Sequence, residues 1–327
     1  TREEHRTKAM AMIGSTIGAT FAASLVLSPW LNRVIGVPGI FVMTGVLVLV
    51  AMWVVYALVP DVPEPPQRAG ARATAQFAAA LRDPQLARLN YGAFALHAVL
   101  MALFIAVPLD LRAAGLPVDR HWLVYLPVML GSFVLMLPAI LGVARPQRLK
   151  AAFLVAIGLL LVAQLAIPWL TGGAWSIAAS LLVFFTGFNV LEAHLPTLVS
   201  RIAPGSGRGT AIGIFTSIQF LGAFFGAAAG GFLYSRWETA GVVIFNTMLL
   251  VIWLMAAAGT RVPAPRSTRV YALPALDRGR AEGLLARLRA EPGVHEARLA
   301  SGERRAVLTV DSAAFDEQNV LDLVSGK

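Results

Sequence analysis

The sequence predicts an all-α polytopic membrane protein with a small C-terminal α+β domain, and three observations carry that prediction. Hydrophobic residues make up 57% of the 327 and charged residues only 14%, with a mean hydropathy of +0.70, outside the range of an ordinary soluble domain. Continuously apolar runs, each long enough to cross about 30 Å of hydrocarbon as a helix, recur near 9–31, 39–60, 89–109, 122–144, 151–170, 174–199, 210–234 and 239–260, eight in all. Beyond residue 260 the composition changes: residues 269–327 balance nine Lys and Arg against nine Asp and Glu, whereas residues 1–268 hold 18 against 9.

The runs are expected to be helices and not strands, because they are continuously apolar instead of alternating and are rich in the Gly and Ala that let membrane helices approach closely. Lys and Arg in alternate loops total 15 on one side and 4 on the other, a bias that places both chain ends in the cytoplasm. The net charge of +9 is thus an orientation signal and not a nucleic-acid surface. The opening TREEHRTK has neither an initiator Met nor a signal peptide, so the chain reads as a segment whose upstream part is absent. Residues 1–60 supply two helices. Residues 61–88 combine a stiff linker, DVPEPPQ, with a short amphipathic surface helix in ATAQFAAALRD, where Phe77 and Leu81 are four apart. Six helices follow in 89–260, then a Pro-containing linker at 261–268 and the terminal domain at 269–327.

In that domain RVYALPAL reads as a strand, and Ala281, Leu284, Leu285 and Leu288 form a helix face that EPG stops. VHEARLA and RRAVLTVD read as a hairpin around SGE, with Ala306, Leu308 and Val310 on one face. A last helix carries Val320, Leu323 and Val324. The order βαββα suggests a ferredoxin-like sandwich without its final strand.

Glu192 is the only acidic residue within the apolar runs, and an ionisable group at membrane depth is a functional hypothesis by default. Asn189 precedes it by three residues, so the two lie roughly 60° apart on a helix, while His194 points roughly 160° away from Glu192. Glu192 reads either as a proton-titrating or substrate-contacting carboxylate or as the partner of a cytoplasmic cation such as Arg148 or Lys150. Asn189 either lines a cavity or ties two helices together. His97, in mid-span, is either a proton relay or a neutral imidazole bonded to a carbonyl. Gln219 is the remaining cavity candidate, and Arg145, Arg148, Lys150 and Arg201 are the cytoplasmic gating charges. Asn90 and Tyr91 are expected at the interface, with Trp122 and Trp237 as anchors at span ends. Gly213, Gly222, Gly226, Gly230 and Gly231 are expected to pack helices. The absence of cysteine excludes disulfides and thiolate sites. No nucleophile elbow, P-loop or zinc-protease motif is present, so neither an enzyme, a cofactor nor a metal is expected.

The stretches GFNVLEAHLPTLVSR (187–201), GRGTAIGIFTSIQFLGAFFGAAAGGFLY (207–234) and REEHRTKAMAMIGSTIGATF (2–21), together with the tail, resemble major facilitator superfamily transporters of the YajR type. The resemblance implies the last eight helices, five to twelve, of a twelve-helix fold in a bacterial inner membrane. It further implies proton-coupled efflux of a small amphipathic solute by rocking of two six-helix bundles, with lipid, substrate, protons and the missing N-terminal helices as partners and no nucleic acid. GVARPQRLK then corresponds to a degenerate copy of the family's basic loop signature. Ser28-Pro29 stands where the antiporter motif has Gly-Pro. The alternative is a membrane-embedded sensor or scaffold whose tail binds a ligand or partner.

Overall fold

An apolar run in hydrocarbon must satisfy its own backbone hydrogen bonds, and the helix does so within one segment. In the computed structural model, which describes residues 3–59, 69–141, 146–167, 173–203, 207–260, 266–272, 278–299, 305–311 and 315–325, the long elements are accordingly α1 (Glu3–Leu58), α3 (Pro84–Ala113), α4 (Trp122–Leu141), α5 (Pro146–Ala166), α6 (Ala174–Ile202) and α7 (Arg208–Ala258). A shorter α2 (Ala69–Arg82) covers the expected amphipathic segment, and its Phe77 and Leu81 are exposed. Asp83 separates α2 from α3. Its Oδ1 accepts from the backbone N–H groups of Gln85 and Leu86 at 2.7 and 3.1 Å, and Pro84 opens the helix, a position where no N–H is needed.

Six helices are long and apolar enough to cross a membrane among the described residues, where the sequence predicts eight. The difference lies in two breaks inside single long helices. The 56 residues of α1 and the 51 of α7 would run about 75–85 Å if straight, more than twice the hydrocarbon thickness. α1 is interrupted at Gly36 (φ 66°), followed closely by Pro38, and α7 at Trp237 and Glu238. Glu238 takes φ 51°, a backbone region costly for a residue with a Cβ.

At the second break the chain reverses, as its contacts with α3 show. Before it, Gly222, Gly226 and Gly230 meet the backbone of Phe94, Ala98 and Ala102, both series rising together. After it, Val242 packs on Ala102 and Ala106, the Tyr91 hydroxyl donates to Leu249 O at 3.2 Å, and the Trp253 indole fills the space beside Gly92. The series now falls as α3 rises, so α3 lies against both arms of a helical hairpin. A Cβ at Gly222 or Gly226 would run into a carbonyl oxygen of α3, and one at Gly230 would sit 2.7 Å from the Ala102 Cα. Glycine is required there for the backbones to touch. Gly213 and Gly231 meet nothing within 4 Å, so their side of the helix is not the packed one. Gly187 makes a second close approach, α6 on α5, where a Cβ would lie 2.7 Å from Ala156 O.

Asn90 and Tyr91 lie beyond the first turn of α3, which starts at Pro84; Asn90 is buried and Tyr91 bonds to α7. From Leu27 to Leu58 the side chains of α1 leave the protein surface apolar, and Arg33 reaches Asp119 at 3.1 Å.

The C-terminal unit has a sheet and a core of its own. Strands β1 (Arg266–Ala272), β2 (Val294–Leu299) and β3 (Arg305–Asp311) form an antiparallel sheet in the order β1-β3-β2, with helices α8 (Arg278–Ala290) and α9 (Glu317–Ser325). Alternation puts Ala306, Leu308 and Val310 on the covered face, where they pack with Tyr271, Leu285, Leu288, Ala297 and Val320. Val270, on the other face, is exposed. Arg289 clamps α8 to β2 by donating from Nε and Nη2 to Ala297 O at 3.2 and 2.9 Å.

Candidate functional site

Three of the polar residues singled out in the apolar runs meet. His97 of α3, Glu192 of α6 and Gln219 of α7 lie far apart in sequence, yet His97 Nε2 is 2.7 Å from Gln219 Nε2 and 3.6 Å from Glu192 Oε2. Gln219 Nε2 also donates to Glu192 Oε1 at 3.4 Å. The close approach of Gly222 and Gly226 to α3 sets the first distance, because Gln219 lies one turn before Gly222 and His97 one residue before Ala98. The Phe188 and His97 rings meet edge-on with centroids 5.9 Å apart, and Phe188 in turn stacks on Phe184.

Hydrogen-bond chemistry assigns the protons in the neutral state. His97 Nδ1 lies 3.0 Å from Ala93 O, and a carbonyl only accepts, so Nδ1 carries the hydrogen. Nε2 then has a lone pair and needs a donor, which only the NH2 end of the Gln219 amide supplies. The same NH2 group turns its second hydrogen toward Glu192. His97 is buried, whereas the Glu192 side chain is 39% exposed. Its Oε2 is nevertheless sealed from the surface and, among the described residues, accepts no hydrogen bond.

Asn189 takes a different partner. Although it shares a helix face with Glu192, its Nδ2 donates across to Ser132 Oγ of α4 at 2.9 Å, and Ser132 donates to Met129 O at 2.8 Å. His194 points away, its Nδ1 bonded to Val190 O of its own helix at 2.6 Å. Arg148 and Lys150 lie near the start of α5 and Arg201 at the end of α6, and Arg145 lies outside the described residues.

A second polar cluster was not anticipated. Asp110, one residue past the predicted span and in the last turn of α3, accepts at Oδ1 from Tyr234 Oη at 3.1 Å and Thr239 Oγ1 at 2.6 Å. These hydroxyls flank the break in α7. Nearby the fully buried amides Gln164 and Asn246 pair at 3.1 Å, Ser180 donates to Ala163 O at 2.8 Å, and Asp110, Gln164, Ser180 and Phe184 border a small void. Lone amides in apolar runs are the signal that marks Gln164 and Asn246; a single serine such as Ser132 offers none.

Membrane-length helices that enclose polar clusters define a polytopic membrane protein. The chain belongs to the major facilitator superfamily, whose family model matches residues 1–226. It is 33% identical over 313 residues to the inner membrane transport protein YajR of Escherichia coli strain K12, covering 95% of this chain and 69% of that protein. It is also 29% identical over 227 residues to the uncharacterized transporter BU466 of Buchnera aphidicola subsp. Acyrthosiphon pisum, 69% of this chain and 58% of that one. With a further uncharacterized transporter, from Buchnera aphidicola subsp. Baizongia pistaciae, it shares 24% over 257 residues, 77% and 65% of the two chains. The chain thus spans between 58% and 69% of the length of these three relatives. The family is one of transporters, not enzymes.

Proposed function

We propose that this protein works in secondary active transport, exporting a small amphipathic solute by alternating access at the expense of a proton gradient. The observation that carries the reading is the His97–Glu192 pair. Two side chains that can each hold a proton stand 3.6 Å apart on different helices, in a region where an ionisable group is expensive to keep without a use. A proton on Nε2 of His97 can pass to Oε2 of Glu192, so the pair can take a proton from one side and release it to the other as the helices rock. With both chain ends in the cytoplasm, as the 15-to-4 loop bias argues, Arg145, Arg148, Lys150 and Arg201 act as cytoplasmic gating charges. The C-terminal unit is then a cytoplasmic, ferredoxin-like module short of one strand that folds on its own.

The test is transport in proteoliposomes by a transport-competent form of the protein, with an imposed pH gradient and a panel of amphipathic cations and neutral compounds. His97→Gln cannot titrate and should lose flux driven by the gradient while keeping exchange of solute at equal pH. Undiminished gradient-driven flux in that variant would remove His97 from the coupling, and no gradient dependence in the unmodified protein would remove proton coupling altogether.

A further inference from the structure

Gln219 is more than a bystander between two titratable groups, and we infer that its side-chain amide inverts when His97 and Glu192 gain protons, so that the two groups titrate together. The inference rests on the proton-coupling reading above but concerns a different residue and a different observable.

A single atom position is decisive. Gln219 presents the same group to both partners: its Nε2 is 2.7 Å from His97 Nε2 and 3.4 Å from Glu192 Oε1. That arrangement suits one protonation state, in which both partners are acceptors. With Nδ1–H committed to Ala93 O, neutral His97 offers a lone pair at Nε2, and ionised Glu192 offers lone pairs only. When a proton arrives at His97 Nε2, two donors face each other at hydrogen-bond distance and the contact becomes repulsive. Half a turn about the last side-chain bond of Gln219, a soft and nearly two-fold torsion, exchanges its N and O atoms. Oε1 then accepts from the Nε2–H of His97.

The same turn reverses what Glu192 meets. An ionised carboxylate would now face a carbonyl oxygen, whereas a protonated one donates its O–H to it. Gln219 therefore favours both partners unprotonated or both protonated. The singly protonated state has a competing arrangement that bypasses the amide, a direct contact between Nε2–H of His97 and Oε2 of Glu192, which stand 3.6 Å apart. No other charge enters: among the described residues His97 is the ion-pair partner of Glu192, α7 contributes Gln219, and His194 is turned to its own backbone. The glycine contacts that hold α3 against α7 keep His97 and Gln219 in register while the amide turns. Gln219 acts through its neighbours and is a positioning residue.

The experiment is magic-angle-spinning NMR of the 327-residue chain in lipid, with histidine and glutamine labelled with 15N and glutamate carboxyls with 13C. Gln219→Met identifies the Gln219 signal by its loss. Above the His97 titration a scalar coupling through the N–H···N hydrogen bond should join Gln219 Nε2 to His97 Nε2. Below it, that coupling should vanish as the Glu192 carboxyl gains its proton, the two events sharing one midpoint. In Gln219→Met, which keeps the shape and removes the amide, the midpoints of His97 and Glu192 should separate by about one pH unit or more. A coupling that survives double protonation of the His97 ring, or one absent at high pH, overturns the inference, and spectra of the unmodified chain suffice to detect either. Coincident midpoints in Gln219→Met also overturn it. Because the readout is an equilibrium one, failure here leaves the transport reading standing, and failure of His97→Gln to affect driven flux leaves the amide inversion standing.

Discussion

Two polar clusters sit on the same helix, α3, thirteen residues or about 20 Å apart, and they are built on opposite principles. At Asp110 one carboxylate oxygen receives two hydroxyl donors, from Tyr234 and Thr239. At His97 the donors run short: among the described residues Glu192 Oε1 accepts one hydrogen bond, at 3.4 Å, and Oε2 accepts none, its nearest polar neighbour being His97 Nε2 at 3.6 Å. A satisfied buried network rigidifies, and a partly satisfied one is costly in any single state. The first cluster staples α3 to the turn between the two arms of α7. On the inference drawn above, the second gains its missing hydrogen bonds by changing protonation.

The largest effect should come from removing what both clusters share. α3 and α7 contribute to each, and the glycine contacts hold these helices together. Gly226→Leu drives a side chain into the backbone at Ala98 and should cost about 3 kcal/mol or more, seen as loss of a single gel-filtration peak in detergent. Gly213→Leu, with nothing within 4 Å, should behave like the unmodified protein. Equal damage from the two would mean that the packing interface lies elsewhere.

Asp110→Ala leaves two hydroxyls without their acceptor and should lower stability by about 1–3 kcal/mol, read as a drop in melting temperature. Asp110→Asn keeps an acceptor oxygen and should be much milder. A smaller loss, about 0.6–1.7 kcal/mol, is expected for Asn189→Ala, since the bond it breaks ties α6 to α4 through Ser132. Its pH dependence should not move, because an amide has nothing to titrate. A changed pH profile in Asn189→Ala would place Asn189 in the switching cluster.

The terminal unit has a tyrosine-to-carboxylate contact of its own, and pH alone can break it. Tyr271 Oη lies 3.3 Å from Glu317 Oε1, and burial, followed by the nearby Glu317 carboxylate, raises the phenol above its ordinary value of 10.0. Between the unfolded and folded values the unfolded chain has lost the proton that the folded unit keeps, so this stabilisation is complete below about pH 10 and fades as pH rises past it. The unit's melting temperature should therefore fall above pH 10, and Tyr271→Phe should flatten that fall. An unchanged slope in Tyr271→Phe would assign the alkaline loss to other groups.

The contrast between the clusters also marks how far the sequence could be read. His97, Glu192 and Gln219 are visible one at a time, because each is a polar residue in an apolar run and hydrocarbon makes such residues expensive. Their meeting is not visible, since periodicity specifies the face of one helix and not the neighbour it finds. Asn189 and Glu192 show this: they share a face, yet one reaches α4 and the other α3 and α7. Asp110 is hidden by its place at the edge of a hydropathy window, although α3 carries it as far as Ala113. The break at Gly36 has a glycine and a following proline to announce it. The one at Trp237 and Glu238 has neither, only the polar run SRWET.

Whether one cluster switches while the other staples is tested most directly by comparing Glu192→Gln with Asp110→Asn. Both variants remove a titration while keeping shape. Gradient-driven flux and solute exchange at fixed pH should be measured side by side in proteoliposomes, on a transport-competent form of the protein and normalised to folded protein. Glu192→Gln is expected to abolish driven flux and spare exchange, while Asp110→Asn leaves the ratio of the two unchanged. Loss of driven flux alone in Asp110→Asn, with Glu192→Gln unaffected in both assays, would contradict that division of roles and move the switch to the other cluster.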